Sequence, residues 1–207
     1  MDADPVEIRL LGCLIEKQRT TPDAYPLSLN SLRLAANQST NREPVMDLDE
    51  TTVRDGVRRL GDRGWARLAS GAGSRAIKYR HLLDDALSLT PSQLAMLAVL
   101  MLRGPQTPGE LKSRTERLYP FPSLEDVHRT LQDLSDRELV ERLPRRPGQK
   151  EERYRQLLGA AEEEQVAQSH TSALPDEDLA SMQALEARLS RVEAKLDELL
   201  RSLDAAP

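Results

Sequence analysis

Apolar residues recur along the first three quarters of the chain at intervals of three and four, and most of these runs open on a residue suited to a helix N-terminus. Asp4 precedes Pro5, and Ile8, Leu11 and Ile15 follow, which predicts a first helix ending near Arg19. Thr20 to Leu27, with two prolines, predicts an extended connector or a short edge strand. Ser28 then caps a second helix to about Asn37, with Leu29, Leu32 and Ala36 inward, and a polar loop runs on to Asp47. Asp49 caps a third helix whose Val53, Val57 and Leu60 form one apolar face and which stops at Gly64. Two strands follow, about Trp65 to Ala69 and Arg75 to His81, separated by Gly71, Ala72, Gly73 and Ser74, a composition suited to a hairpin tip.

The same order returns about 74 residues later. Val127, Leu131 and Leu134 repeat Val53, Val57 and Leu60 at an offset of 74, and Tyr154, Arg155, Leu157 and Leu158 repeat Tyr79, Arg80, Leu82 and Leu83 at 75. Thr90-Pro91, Thr107-Pro108 and Ser123 open the three helices of the second unit; strands at about Leu139 to Leu143 and Glu151 to Leu157 close it, with residues 144–150 as the tip. Three helices and a β-hairpin in this order is the winged helix-turn-helix plan, so the expected fold is mainly α with small β-hairpins (α+β): two tandem winged helix-turn-helix domains, residues 1–85 and 86–158.

Beyond them, residues 159–176 read as a polar linker and 177–207 as an amphipathic, coiled-coil-like helix. Met182, Leu185, Leu189, Val192, Leu196, Leu199 and Leu203 alternate spacings of three and four, the pattern of a heptad seam that would make a homodimer. Arg188 and Glu193 fall at g and e positions that attract across a parallel pair. A helix folded back on the domains is the alternative reading of the same seam.

Charge sharpens this division. The net charge of -5 comes from the tail, where residues 159–207 hold 11 acidic and 4 basic side chains and leave 25 basic against 23 acidic in residues 1–158. Cys13, alone of its kind, excludes an intrachain disulfide and reads as a small buried side chain on the first helix. His81, His128 and His170 show no spacing that converges on a metal and read as surface or wing residues. No nucleophile and base can be paired, so neither enzymatic activity nor a cofactor is expected, and the lack of an apolar span or signal core points to the cytoplasm and away from a membrane.

Candidate chemistry lies in the basic side chains. From Arg63 to His81 the first wing carries Arg63, Arg67, Arg75, Lys78 and Arg80 with no acidic residue, and the third helix presents Arg54, Arg58 and Arg59. Ion pairs with Glu50 and Asp55 along that helix are the competing use of those arginines. In the second unit His128, Gln132 and Asp133 stand at the equivalent positions beside Glu125 and Asp126, which makes a poor groove reader; its wing adds Arg145, Arg146 and Lys150, diluted by Glu141, Glu151 and Glu152. The expected function is therefore double-stranded DNA binding, of regulatory type, by a homodimer. Protein interaction through the winged helices is the alternative.

Several connector strings are unusual: Glu16-Lys17-Gln18, residues 21–30 (TPDAYPLSLN), residues 37–45 (NQSTNREPV) and residues 102–111 (LRGPQTPGEL), with the Arg153-Tyr154 pair. On these the chain resembles the YceH-like family of uncharacterised bacterial proteins across about residues 5–158. The resemblance implies tandem winged helices and carries over no catalytic or binding residues. Asn41, Arg42 and Glu43 make the loop between helices two and three a candidate surface, or else a loop whose polar side chains satisfy local backbone groups.

Overall fold

The computed structural model describes residues 3–69, 77–145 and 151–159. The helix starts fall where the capping residues sit. Helix α1 (Pro5–Thr20) opens on a capping box in which the Asp4 carboxylate accepts from the Glu7 N–H at 2.8 Å and the Glu7 carboxylate from the Asp4 N–H at 2.9 Å. Ser28 caps α2 (Leu29–Ala36), Asp49 caps α3 (Glu50–Asp62) and Ser123 caps α7 (Leu124–Asp136). Thr90 and Thr107 build capping boxes with Gln93 and Glu110 for α5 (Pro91–Arg103) and α6 (Pro108–Thr115). A short helix that the pattern did not predict, α4 (Leu83–Leu87), turns the chain from one half to the next and seats only Leu83 in the core.

Strands β2 (Ala66–Ala69) and β3 (Lys78–His81) pair antiparallel, and β1 (Leu27–Ser28) adds to the far edge of β3, giving the order β1-β3-β2. The second half holds β4 (Val140–Leu143) and β5 (Arg153–Gln156). Its third strand shrinks to one bridge, Gln106 with Tyr154, standing where Leu27 pairs with Tyr79.

The repeat survives to single-residue accuracy. Helix α3 and strand β2 reappear as α7 and β4 with both ends displaced by 74, and β3 reappears as β5 displaced by 75. Even the backbone turn after α3 is kept: Gly64 has φ 73°, and Glu138, its counterpart, has φ 55°.

Helices α1 and α5, the first of each half, lie against each other at the centre. Residues Glu7 to Ile15 of α1 and Gln93 to Leu102 of α5 are buried without a break, as befits helices covered on every side. Gly12 lets them meet, since a Cβ there would lie 2.9 Å from Leu102 Cγ and 3.1 Å from Met101 Cβ. Gly56 does the same for α3 against α1, where a Cβ would lie 2.8 Å from Leu10 Cδ1. One apolar core runs through both halves, and residues Met1–Ala161 gather into one unit. Cys13 is fully buried in this core, and burial pushes its thiol up to about 11.

Candidate nucleic-acid interface

Pairing in the first hairpin sorts its side chains by face. Arg67 stands opposite Arg80 and Ala69 opposite Lys78, so Arg67, Lys78 and Arg80 share one side of the sheet. Ala66 and His81, both buried, form a pair on the other side, with Leu68 and Tyr79 beside them. Among the described residues no carboxylate lies within ion-pair distance of Arg67, Lys78 or Arg80. Like charges directly across a strand pair oppose sheet formation, so Arg67 facing Arg80 is an arrangement that the fold does not require.

The hairpin stands on a fixed base. The His81 N–H donates to the Tyr25 hydroxyl at 2.9 Å, its Nε2 lies 2.7 Å from Gln18 Oε1, and the Leu82 N–H donates to the Trp65 carbonyl at 2.7 Å. His81 is 1% exposed, contrary to the surface role its strand position suggested. Desolvation lowers its pKa to about 4, opposed by the Asp84 carboxylate 3.4 Å from Nδ1 and reinforced by Arg80 and Arg19. The Arg63 guanidinium sits 5.6 Å over the Trp65 ring and reaches the buried Glu7 at 2.7 Å.

Helix α3 buries Val53, Gly56, Val57 and Leu60 and turns Arg54 and Arg58 to solvent. Arg54 bonds Glu50 one turn earlier, and Arg58 lies 3.8 Å from Asp62 one turn later. Arg59 is drawn away, to Asp4 at 2.7 Å, and helps hold the start of α1. Sequence spacing pointed to Asp55 as partner for Arg58 and Arg59, but the partners are Asp62 and, from the far end of the unit, Asp4.

In the second hairpin Glu141 occupies the place of Arg67 and pairs directly with Arg155, the counterpart of Arg80. Arg142 and Arg145 both turn to Glu152, at 3.2 and 3.7 Å. Outward on α7, Arg129 is held by Glu125 and Asp126, and the Gln132 amide donates to Asp136 at 2.6 Å. The two halves thus share a backbone and differ in pairing: among the described residues Arg67, Lys78 and Arg80 of the first hairpin have no carboxylate partner, whereas Arg142, Arg145 and Arg155 of the second do. Arg75, Arg146 and Lys150 lie outside the described residues, as do Met182, Leu185, Leu189, Val192, Leu196, Leu199 and Leu203.

The loop between α2 and α3 is tied to the core. Arg42, 4% exposed, holds both oxygens of Glu16 at 3.1 and 2.6 Å and donates to the Ala35 carbonyl at 3.0 Å and to Gln38 Oε1 at 2.8 Å. Burial works against that guanidinium's charge, yet the bond to Glu16 keeps its pKa above the ordinary value. Asn37 clasps Leu48 through both backbone groups, the Glu43 N–H donates to the Leu102 carbonyl at 2.8 Å, and Arg103 bonds Asn41. Most of the unusual connector strings therefore meet each other: residues 16–18 bond the loop and β3, and the start of 102–111 bonds the loop.

Residues 3–149 match the family model described as "Protein of unknown function, DUF480". A UPF0502 protein of Azotobacter vinelandii (strain DJ / ATCC BAA-1303) is 52% identical over 186 residues, covering 88% of this chain and 82% of its own. One from Geotalea uraniireducens (strain Rf4) is 48% identical over 201 residues, covering 96% and 90%. A third, from Shewanella amazonensis (strain ATCC BAA-1098 / SB2B), is 44% identical over 203 residues, covering 95% and 97%. The family model takes in most of the chain and these relatives align along most of their length, so the protein belongs to the DUF480/UPF0502 family of bacterial proteins.

Proposed function

We propose that this protein binds double-stranded DNA, that each half is a winged helix-turn-helix unit, and that the first half makes the contact. The element order of each half, three helices and then a hairpin, supports the winged-helix reading. The observation that carries the DNA reading is the cross-strand pair Arg67 and Arg80 with Lys78 beside it, because the second half meets the same position with the ion pair Glu141–Arg155. A position where the repeat can hold a stabilising pair, yet holds two like charges, is kept for something outside the chain. Backbone phosphates suit it, and the exposed Arg54 and Arg58 of α3 flank the same duplex.

Substituting Arg67→Glu tests this, since it installs the second half's ion pair in the first. Anisotropy titrations with a labelled duplex at low salt are expected to show affinity falling at least about tenfold, while the hairpin gains about 0.2–1 kcal/mol, read as an equal or higher melting temperature. Unchanged affinity in a folded Arg67→Glu protein would remove this interface. With each on a phosphate, Arg67, Lys78 and Arg80 together contribute about -2.7 to the slope of the logarithm of affinity against the logarithm of salt, and Lys78→Gln or Arg80→Gln each makes that slope shallower by about 0.9.

The heptad seam from Met182 to Leu203 is the proposed dimer contact, which would give two DNA-binding halves per particle. Protein interaction is the second reading, and the ion pairs that occupy Arg142, Arg145 and Arg155 in the second hairpin favour it for that half.

A further inference from the structure

We propose that the duplex is bound through its phosphodiester backbone with no base sequence preferred. This rests on the DNA-binding reading and goes a step past it, to the kind of site on DNA that the protein takes. Sequence is read by side chains that reach base edges, whereas phosphate contacts fix position and carry no sequence information.

The polar side chains that the described part of the first hairpin offers on this face, Arg67, Lys78 and Arg80, are all cations, and these donate without accepting. Lys78 and Arg80 stand two residues apart, about 7 Å along the strand, with Arg67 across from Arg80, a spacing that follows a backbone and not a base-pair edge. Helix α3 is poorly equipped to read. Its exposed positions include Glu50, Thr51, Arg54, Asp55, Arg58 and Asp62, three carboxylates against two guanidiniums. Arg54 bonds Glu50 and Arg58 lies 3.8 Å from Asp62, so a guanidinium reaching guanine would bring a carboxylate of its own helix toward the phosphates. The helix has neither Asn nor Gln to form the two-bond contact with adenine, and threonine hydroxyls serve either class of base. In the second half, α7 opens on Glu125 and Asp126 and repels a backbone before any base comes within reach.

The test uses the full-length protein with a labelled duplex displaced by unlabelled duplexes of equal length and unrelated sequence, alongside repeated selection from a random-sequence library. Competitor affinities are expected to agree within about threefold, below the roughly fivefold that one base pair contributes in a sequence-specific complex. The Arg54→Ala, Arg58→Ala double variant is expected to weaken every duplex by one common factor. An enriched motif bound roughly a hundredfold more tightly than random duplex would overturn this inference and leave the DNA reading standing. Failure to bind any duplex at low salt would overturn both.

Discussion

Histidine 81 and arginine 42 show how much a single side chain depends on parts of the chain far from it in sequence. Each was legible as polar and each is buried, because the partners, Gln18 for His81 and Glu16 for Arg42, lie 63 and 26 residues away. Caps could be read correctly since their bonds span three residues, whereas the fate of Arg59 depends on Asp4, 55 residues distant. His81 also sets a pH dependence. It is neutral in the fold, with a pKa near 4 against about 6.5 when unfolded, so the unfolded chain binds the extra proton between those values. Its contribution is complete above about pH 6.5 and is lost as pH falls toward 4, on the order of 3 kcal/mol. Melting temperatures measured from pH 7 to pH 4 should fall less for His81→Gln than for the wild type, and parallel curves would remove His81 as the source.

Elements repeat more faithfully than residues do. Their order was readable from spacing because helical and strand periods are local properties, and α3, α7, β2 and β4 begin within a residue or so of the positions that capping and alternation indicate. What spacing did not give was α4, a five-residue turn of helix with no side-chain cap, or that the short edge strand before α2 pairs with β3, which is a tertiary contact. Nor does sequence say which helices touch. Gly12 has the appearance of a weak point in α1, yet the absence of a side chain there leaves room for Leu102 and Met101 of α5. Gly12→Ala improves helix propensity, but it must displace Leu102 and Met101 at a cost of about 1–3 kcal/mol. Chemical denaturation should therefore show a net loss of stability, and a gain would mean that the α1–α5 contact relaxes freely.

For the molecule as a whole, the division at residues 85 and 86 is a division of the repeat, and the core crosses it. Residues 7–15 of α1 and 93–102 of α5 are buried by elements of both halves, so neither half can lose its structure without uncovering the other. Heating or denaturant should give one transition for residues 3–159, with fluorescence of Trp65 in the first half coinciding with far-ultraviolet circular dichroism of both; separate midpoints would show that the halves unfold independently. This was not legible in the sequence, since a linker and two apolar patterns look the same whether or not the patterns face each other.

The pairing of α1 with α5 has a further consequence. Two copies of a fold that meet through equivalent helices would ordinarily form a complex that dilution takes apart; here the peptide from His81 to Thr90 makes their encounter intramolecular. A backbone nick at Ser88 or Leu89 would restore the ordinary situation, leaving two fragments that reassemble through Gly12 and its neighbours only above some threshold concentration. The connecting segment thus acts as a tether that makes a two-body assembly independent of how much protein is present.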